Sequence, residues 1–572
     1  MKNLLGCLLM ICVGFNISAL AQPELDTTFN SSGKALISLL EKSGAWAVAV
    51  QPDNKIILGS GCYHSGYAPF CLVRLNQDGS LDTTFGTSPP PGSPSSGPLG
   101  SVITRFNVAQ QDGQATGIAL QSDGKIIVIG STARWDYNET AMARYNGDGT
   151  LDTTFGSGGM VRRHLTLSTD IEEVIRGVAI QPDGKILVTG DSMRYMPPPL
   201  LNNIWTQFVA RFLPNGTLDS TFGVGGIVRT QQPGFDSTTG QSLAIQPDGK
   251  ILVGGNFWSS TAGGTFTGQA YYLIRLGSDG STDNTWNTVK IDTVITYMQP
   301  THGISKIALQ PDGRVVALGY YTGKLFRFQP NGAFDTSFDS DGVRQVFADD
   351  LNQNPYDFLI SPDGRITVVG MSQLGASWIT DFPYMVKRFL PDGSLDQTFG
   401  DNGFRKFYLA PGYTLDGARA AAFDSAGRIV IGGVAGIVGH QPPWENTIFS
   451  AVRLTAPAIT PAPATVTGRV LTAEGIPASG VTMRMADSSG EIRTARTNPF
   501  GYYQFGAVMS GQLYSIAVKS RTVAISERSI FVAGDVSNFD FTAAPQTASK
   551  GELDFRALPV PAVKSDLSKD LR

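Results

Sequence analysis

The chain has 572 residues, 41% of them hydrophobic and 16% charged, and its 44 basic and 48 acidic side chains give a net charge of −4. That length holds two or three packed domains, and the near-neutral balance excludes the basic footprint of a nucleic-acid-binding protein. Sixty-six glycines and 33 prolines, without a collagen period, point to many turns and short strands.

Residues 1–21 read as a signal peptide. Lys2 is a minimal positive start, Leu4 to Phe15 is apolar, and Ala19-Leu20-Ala21 is a small-x-small site with cleavage predicted after Ala21. The mature chain is therefore expected to be secreted or held at the cell surface. The apolar stretch is too short to cross a bilayer, so no membrane span is expected. Cys7, after Leu-Leu-Gly, loosely suggests a lipoprotein signal but leaves no usable apolar region before it. Cys7 and Cys12 go with the leader. Cys62 and Cys71, nine residues apart in an oxidising compartment, are expected to bond across a loop base. The alternative is two separate buried thiols.

From residue 22 to 456 the chain repeats itself. One phrase recurs as Leu25-Asp-Thr-Thr-Phe29, Leu81-Asp-Thr-Thr-Phe85, Leu151-Asp-Thr-Thr-Phe155, Leu218-Asp-Ser-Thr-Phe222, Thr282-Asp-Asn-Thr-Trp286, Phe334-Asp-Thr-Ser-Phe338 and Leu395-Asp-Gln-Thr-Phe399, at intervals of 52 to 70 residues. A second phrase, clearest as Ala179-Ile-Gln-Pro-Asp-Gly-Lys185, returns around Gly124, Gly249, Gly313 and Gly364, and in degenerate form at Asn54 and Gly427. It predicts a hairpin: Pro sets φ for the turn, Gly takes the left-handed position, and a β-branched run leads out. A third strand ends each unit and a fourth follows the Leu-Asp phrase. Four strands in each of seven units predict an all-β fold, a seven-bladed β-propeller; a solenoid is the rival. The lead-in strand carries a small residue at one fixed place (Ala49, Ala119, Ala179, Ala244, Ala308 and Ala422, with Leu359 in the sixth unit), as crowding around an axis requires. These phrases resemble the delta-60 repeats of bacterial secreted proteins. That resemblance implies a propeller and no known reaction.

After a Pro/Ala/Thr linker at 457–463, residues 464–543 show short alternating segments, among them Val466-Thr-Gly-Arg-Val470 and Leu513-Tyr-Ser-Ile-Ala-Val518. They predict a small β-sandwich. Its Gly-Arg-Val opening, Gly-x-Pro-x-x-Gly-Val segment and Thr-x-x-x-Gly-x-Tyr-x-Phe segment resemble the carboxypeptidase regulatory-like domain, which implies an accessory module without peptidase activity. Residues 544–572 are polar and mixed in charge, and read as a disordered tail.

No catalytic constellation is visible. The four histidines (His64, His164, His302, His440) fall in different units with no metal-ligand spacing, although His64 and His440 would be neighbours in a closed ring. No Gly-x-Ser-x-Gly elbow is present. No cofactor or metal is implied. The alternative is calcium at Asn76-x-Asp78-Gly79-x-x-Asp82 and Asn146-x-Asp148-Gly149-x-x-Asp152, against plain Asx turns at the same aspartates. The candidate ligand-binding residues are aromatic side chains assigned to the loops between second and third strands: Trp135, Tyr137, Tyr195, Trp205, Trp258, Trp378 and Trp444, accompanied by Tyr63 and Tyr67. Such loops emerge on one propeller face, where aromatic rings suit glycan or peptide ligands; the competing reading packs each ring on its own blade. The expected partner is an extracellular glycan or protein, held by a non-enzymatic, monomeric binding or scaffold protein. The alternative is a polysaccharide lyase or glycosidase using loop acids such as Asp136, Glu139, Asp191, Asp381 and Glu445.

One spacing is constant across loops of variable length. Arg74, Arg144, Arg211, Arg275, Arg327 and Arg388 each precede by eight residues an aspartate of the next Leu-Asp phrase: Asp82, Asp152, Asp219, Asp283, Asp335 and Asp396. These are expected to be structural ion pairs. Arg453 and Asp26 are left over at opposite ends of the repeats. A closed ring pairs them and lays the segment near Lys34 to Leu40 beside that near Phe449 to Leu454.

Overall fold

Each Pro-Asp-Gly phrase reverses the chain between two antiparallel strands. In a computed structural model the turn glycines take φ values of 82° at Gly124 and 82° at Gly184, and Asn54 adopts 63° in the degenerate copy. The structure describes residues 24–542 apart from 40–42, 63–68, 87–94, 97–98, 107–113, 134–137, 167–169, 196–202, 232–235, 261–265, 287–288, 293–302, 320–321, 348–352, 373–382, 410–414, 437–446, 456–462, 473, 488–491, 510–511, 520–527, 533–535 and 537–538. It divides into two compact units, residues 1–460 and 461–572.

In the first unit, six sheets take their four main strands in chain order, and one of these adds the short strand Ser95–Ser96. The third shows the plan: Asp170–Ile180, Ile186–Arg194, Ile204–Phe212 and Ile227–Thr230. The seventh sheet breaks the order. It joins Leu415–Phe423, Ile429–Gly436 and Thr447–Leu454 to Lys34–Ile37 from the other end of the repeats, with Lys34 opposite Val452 and Ile37 opposite Phe449. The first strands of neighbouring sheets are tied to one another. Thr116 Oγ1 donates to the Ile175 carbonyl at 2.6 Å, Lys306 Nζ lies 2.9 Å from Asp357, and the Ala421 N–H donates to Asp357 at 3.0 Å. Ala45 of the first sheet donates to the Gly433 carbonyl of the seventh at 2.9 Å. The unit is a β-propeller of seven sheets closed on itself, its first and last repeats joined by the pairing of Lys34–Ile37 with Thr447–Leu454.

The Leu-Asp phrase forms a clasp between adjacent sheets. Arg144 Nε lies 2.8 Å from Asp152, and Lys125 adds a second cation at 3.2 Å. The Thr154 hydroxyl donates to the same carboxylate at 2.7 Å. The Arg144 guanidinium lies over the Phe155 ring, 4.7 Å from its centroid, and Nη1 reaches forward to the Pro214 carbonyl of the next sheet. Phe155 lies under the next sheet's turn at Gly216, where φ is +87° and a Cβ would stand 2.9 Å from the ring. Both the backbone and the neighbouring ring therefore demand glycine there. The same pairing joins Arg74 to Asp82, Arg211 to Asp219, Arg275 to Asp283, Arg327 to Asp335 and Arg388 to Asp396, at 2.7 to 2.8 Å. The seventh clasp is made across the chain. Arg453 Nε lies 2.7 Å from Asp26, its guanidinium covers Phe29, and Nη1 reaches the Gln77 carbonyl.

The second unit has two sheets. One joins Tyr502–Met509, Pro463–Leu471 and Phe541–Thr542; the other joins Ile492–Arg496, Thr482–Asp487, Gln512–Lys519 and Arg528–Val532. Val466, Val470, Phe505 and Phe541 of the first meet Met483, Met485, Ile516 and Val532 of the second in one core. This is a β-sandwich. Its last two strands carry too few residues or too weak an alternation to read in the sequence.

Two outcomes follow from the clasps. Asp26→Ala leaves Arg453 buried without its carboxylate and is expected to cost about 3 kcal/mol. Amide exchange should rise first at Lys34–Ile37 and its partners, and a uniform rise over all sheets would contradict the closure. The second outcome is a pH dependence. Burial pushes the Asp152 carboxyl up, but Thr154, Lys125 and Arg144 outweigh it and hold its pKa at about 2, below the ordinary 3.8. A depressed folded-state value means that stability is present above about pH 4 and lost as pH falls toward 2, worth about 1 to 2 kcal/mol per clasp. The urea-midpoint gap between wild type and Asp152→Asn should therefore narrow from pH 5 to pH 2.5; a constant gap would contradict it.

Candidate functional site

The innermost strands share one irregularity. Six of them slip register by one residue, at Thr116, Arg176, Gln241, Ser305, Tyr356 and Arg419. In the first sheet Trp46 occupies the same place, donating its N–H to the Gly59 carbonyl at 2.9 Å. Each of the seven stands three residues before the fixed small residue of its lead-in strand, so all lie at one level. A β-bulge re-aims a side chain out of the regular pleat. The residue before each bulge position is buried, while each of the seven is at least partly exposed. They form a ring at the axis in the order Trp46, Thr116, Arg176, Gln241, Ser305, Tyr356, Arg419.

Two arginines in this ring have opposite surroundings. Arg176 Nε lies 3.0 Å from Asp191, whose side chain is fully buried. Burial raises the Asp191 carboxyl against the pull of Arg176, and burial together with Asp191 raises Glu172. Burial opposes the Arg176 charge, but Asp191 and Glu172 more than offset it. This side of the ring is internally compensated. On the other side the Arg419 guanidinium lies between two rings, 4.5 Å from the Trp46 centroid and 4.0 Å from that of Tyr356. Three consecutive sheets thus bring their ring residues into contact. Among the described residues Arg419 has no ion pair, and its buried Nε has no hydrogen-bond partner. Trp46 keeps 48% of its surface exposed.

Of the aromatic residues assigned to loops, two depart from the expectation. Trp258 lies in the strand Ile251–Ser260 and is 5% exposed, so it packs on its blade rather than offering a face. The strands here run further than the alternation suggests, and they absorb residues assigned to loops. Trp205 is likewise in a strand, opposite Met193, and half-buried. Tyr195 is 54% exposed just past the strand end. Trp135, Tyr137, Trp378, Trp444, Tyr63 and Tyr67 lie outside the described residues. Of the acids assigned to loops, Asp191 and Glu139 are in strands, and Glu139 is held by Arg162 at 2.6 Å. Asp136, Asp381 and Glu445 lie outside the described residues.

Cys62 and Cys71 form a disulfide with Cα atoms 5.7 Å apart. His164 is used locally, its Nδ1 2.7 Å from Glu173; His64, His302 and His440 are outside the described residues. The aspartates of the calcium reading are occupied. Asp78 accepts the Ser80 N–H at 3.0 Å, Asp148 accepts the Thr150 N–H at 2.9 Å, and Asp82 and Asp152 belong to clasps. Among the described residues no group of three His, Cys, Asp or Glu side chains is placed to hold a metal ion, and no helix is long and apolar enough to cross a membrane.

The sequence reading missed Trp46, Tyr356 and Arg419. The signal was present: aligning the seven units on Ala49 and its equivalents puts these residues in one column. Their chemistry is mixed around the ring, so no repeated motif marks them.

The fold and its repeats define a β-propeller repeat protein. A family described as "Domain of unknown function (DUF5122) beta-propeller" matches at residues 51–85, 121–155, 181–222, 246–285 and 310–338. No curated protein gives a match. Similar solved structures include a streptogramin B lyase, at 12% identity and TM-score 0.39, covering 76% of this chain and 99% of that one. A catalytically inactive virginiamycin B lyase from Staphylococcus aureus has 10% identity and TM-score 0.39, covering 73% of this chain and 98% of its own. A protein of unknown function from Bacteroides caccae has 11% identity and TM-score 0.31, covering 60% and 96%. At these distances the likenesses bear on neither substrate nor mechanism.

Proposed function

We propose that this is a secreted or cell-surface, non-enzymatic binding protein, with residues 1–21 as its leader and the sandwich as a spacer. Its propeller holds an extracellular glycan or protein ligand at the axial ring, on the side of Trp46, Arg419 and Tyr356. One observation carries the reading: a guanidinium held against two aromatic rings without an ion pair among the described residues, beside an exposed indole. Aromatic rings supply rigid apolar area at small entropic cost, and an arginine held by stacking is already oriented for a ligand.

The test is a binding screen of the full chain against immobilised glycans and peptides, with product analysis of every hit. Saturable binding without turnover is expected, weakened at least tenfold (about 1.4 kcal/mol) by Trp46→Ala. Turnover of a bound polysaccharide would contradict the reading, and so would binding that ignores Trp46.

A further inference from the structure

We infer that the ring binds a carboxylate-bearing sugar, a uronate residue of an acidic glycan, with Arg419 as the anchor for its carboxylate. The inference rests on the binding reading above and names the ligand class.

Arg419 is pre-oriented from both sides. Trp46 and Tyr356 both lie against its guanidinium, at 4.5 and 4.0 Å to the ring centroids, contacts that occupy the ring faces and leave the Nη groups to take an acceptor. A carboxylate matches that edge with two parallel hydrogen bonds, and a neutral hydroxyl cannot. The nearby acids are engaged elsewhere. Asp416, three residues earlier on the same strand, is fully buried and accepts the Leu409 N–H at 2.8 Å. Asp357, next to Tyr356, is taken by Lys306 at 2.9 Å and by the Ala421 N–H at 3.0 Å. Across the ring, Arg176 is neutralised by Asp191. Arg419 is therefore the ring cation without an ion pair among the described residues.

The ring neighbours favour a sugar over a peptide. Beyond Trp46 comes Thr116, and beyond Tyr356 comes Ser305, both small and hydroxylated. Each aromatic residue is thus one ring position from a short hydroxylated side chain; the Thr116 and Ser305 hydroxyls donate to the Ile175 and Leu318 carbonyls, and their lone pairs suit the hydroxyl rim of a pyranose. An extended peptide would want a straight row of strand-edge N–H and C=O groups. The register slips in six of the seven innermost strands break that row at this level.

The experiment titrates three probes into the full chain and follows tryptophan fluorescence: tri-galacturonate, its neutral methyl ester, and tri-glutamate. The acid should bind saturably and at least tenfold more tightly than the ester. Arg419→Gln should remove that preference, lowering affinity for the acid at least tenfold and bringing it to within about twofold of the variant's affinity for the ester. Arg419→Lys should fall between. Arg419 makes no ion pair with the described residues but contacts two rings, so a single cooperative melt within a few degrees of wild type is expected for both variants and confirms that they fold. Equal affinity for acid and ester, or an acid affinity unchanged in Arg419→Gln, overturns the inference. Binding of tri-glutamate but not tri-galacturonate overturns it in favour of an acidic peptide. Binding of a neutral glycan that is lost in Trp46→Ala but kept in Arg419→Gln also overturns it, while the broader binding reading stands.

Discussion

The contact on which the rest of the molecule depends is the pairing of a third-strand arginine with the aspartate eight residues on. Alone, a buried ion pair is weak evidence for stability, because desolvation offsets most of its attraction. Here the pair does more than attract. It places the guanidinium over the Phe of the same phrase and turns Nη1 toward a carbonyl of the next sheet. The Phe in turn fits under a glycine of that next sheet. One five-residue phrase thereby sets the distance and angle between neighbouring blades, and its repetition sets the curvature that closes the ring.

Closure explains features that would otherwise look unrelated. The strand Lys34–Ile37 does not belong to the first blade but completes the last one, so the chain's two repeat ends hold each other. The innermost strands, crowded at the axis, need small residues at one level and slip register at another. Seven side chains at that level, six of them at a slip, are freed from the packing rules of the blades. That freedom is why the ring can differ from blade to blade (Thr, Arg, Gln, Ser, Tyr, Arg and Trp) while the clasps stay nearly constant. Constancy belongs to the clasps and variety to the ring.

The all-β repeat, the seven units, the hairpin turns and the spacing of Arg and Asp were legible because each is a local rule copied many times. Pro-Asp-Gly and Leu-Asp-x-Thr-Phe carry their geometry in neighbouring residues. Strand length was not legible. Trp258 and Asp191 sit in strands rather than loops because tertiary pairing carries the second strand beyond its apolar run, to Ser260 and Arg194. The candidate site was the least visible part. Trp46, Tyr356 and Arg419 are 63 to 373 residues apart in the chain and touch only because the ring closes.

The central claim is that the seventh clasp closes the ring as the other six join their neighbours. A double-mutant cycle on Asp26→Asn and Arg453→Gln, read by urea unfolding of the full chain, tests it directly. Coupling of about 2 kcal/mol, matching the Asp152–Arg144 cycle, is the result the account predicts. Additive effects at Asp26 and Arg453, within about 0.5 kcal/mol, beside strong coupling at Asp152 and Arg144 would contradict it.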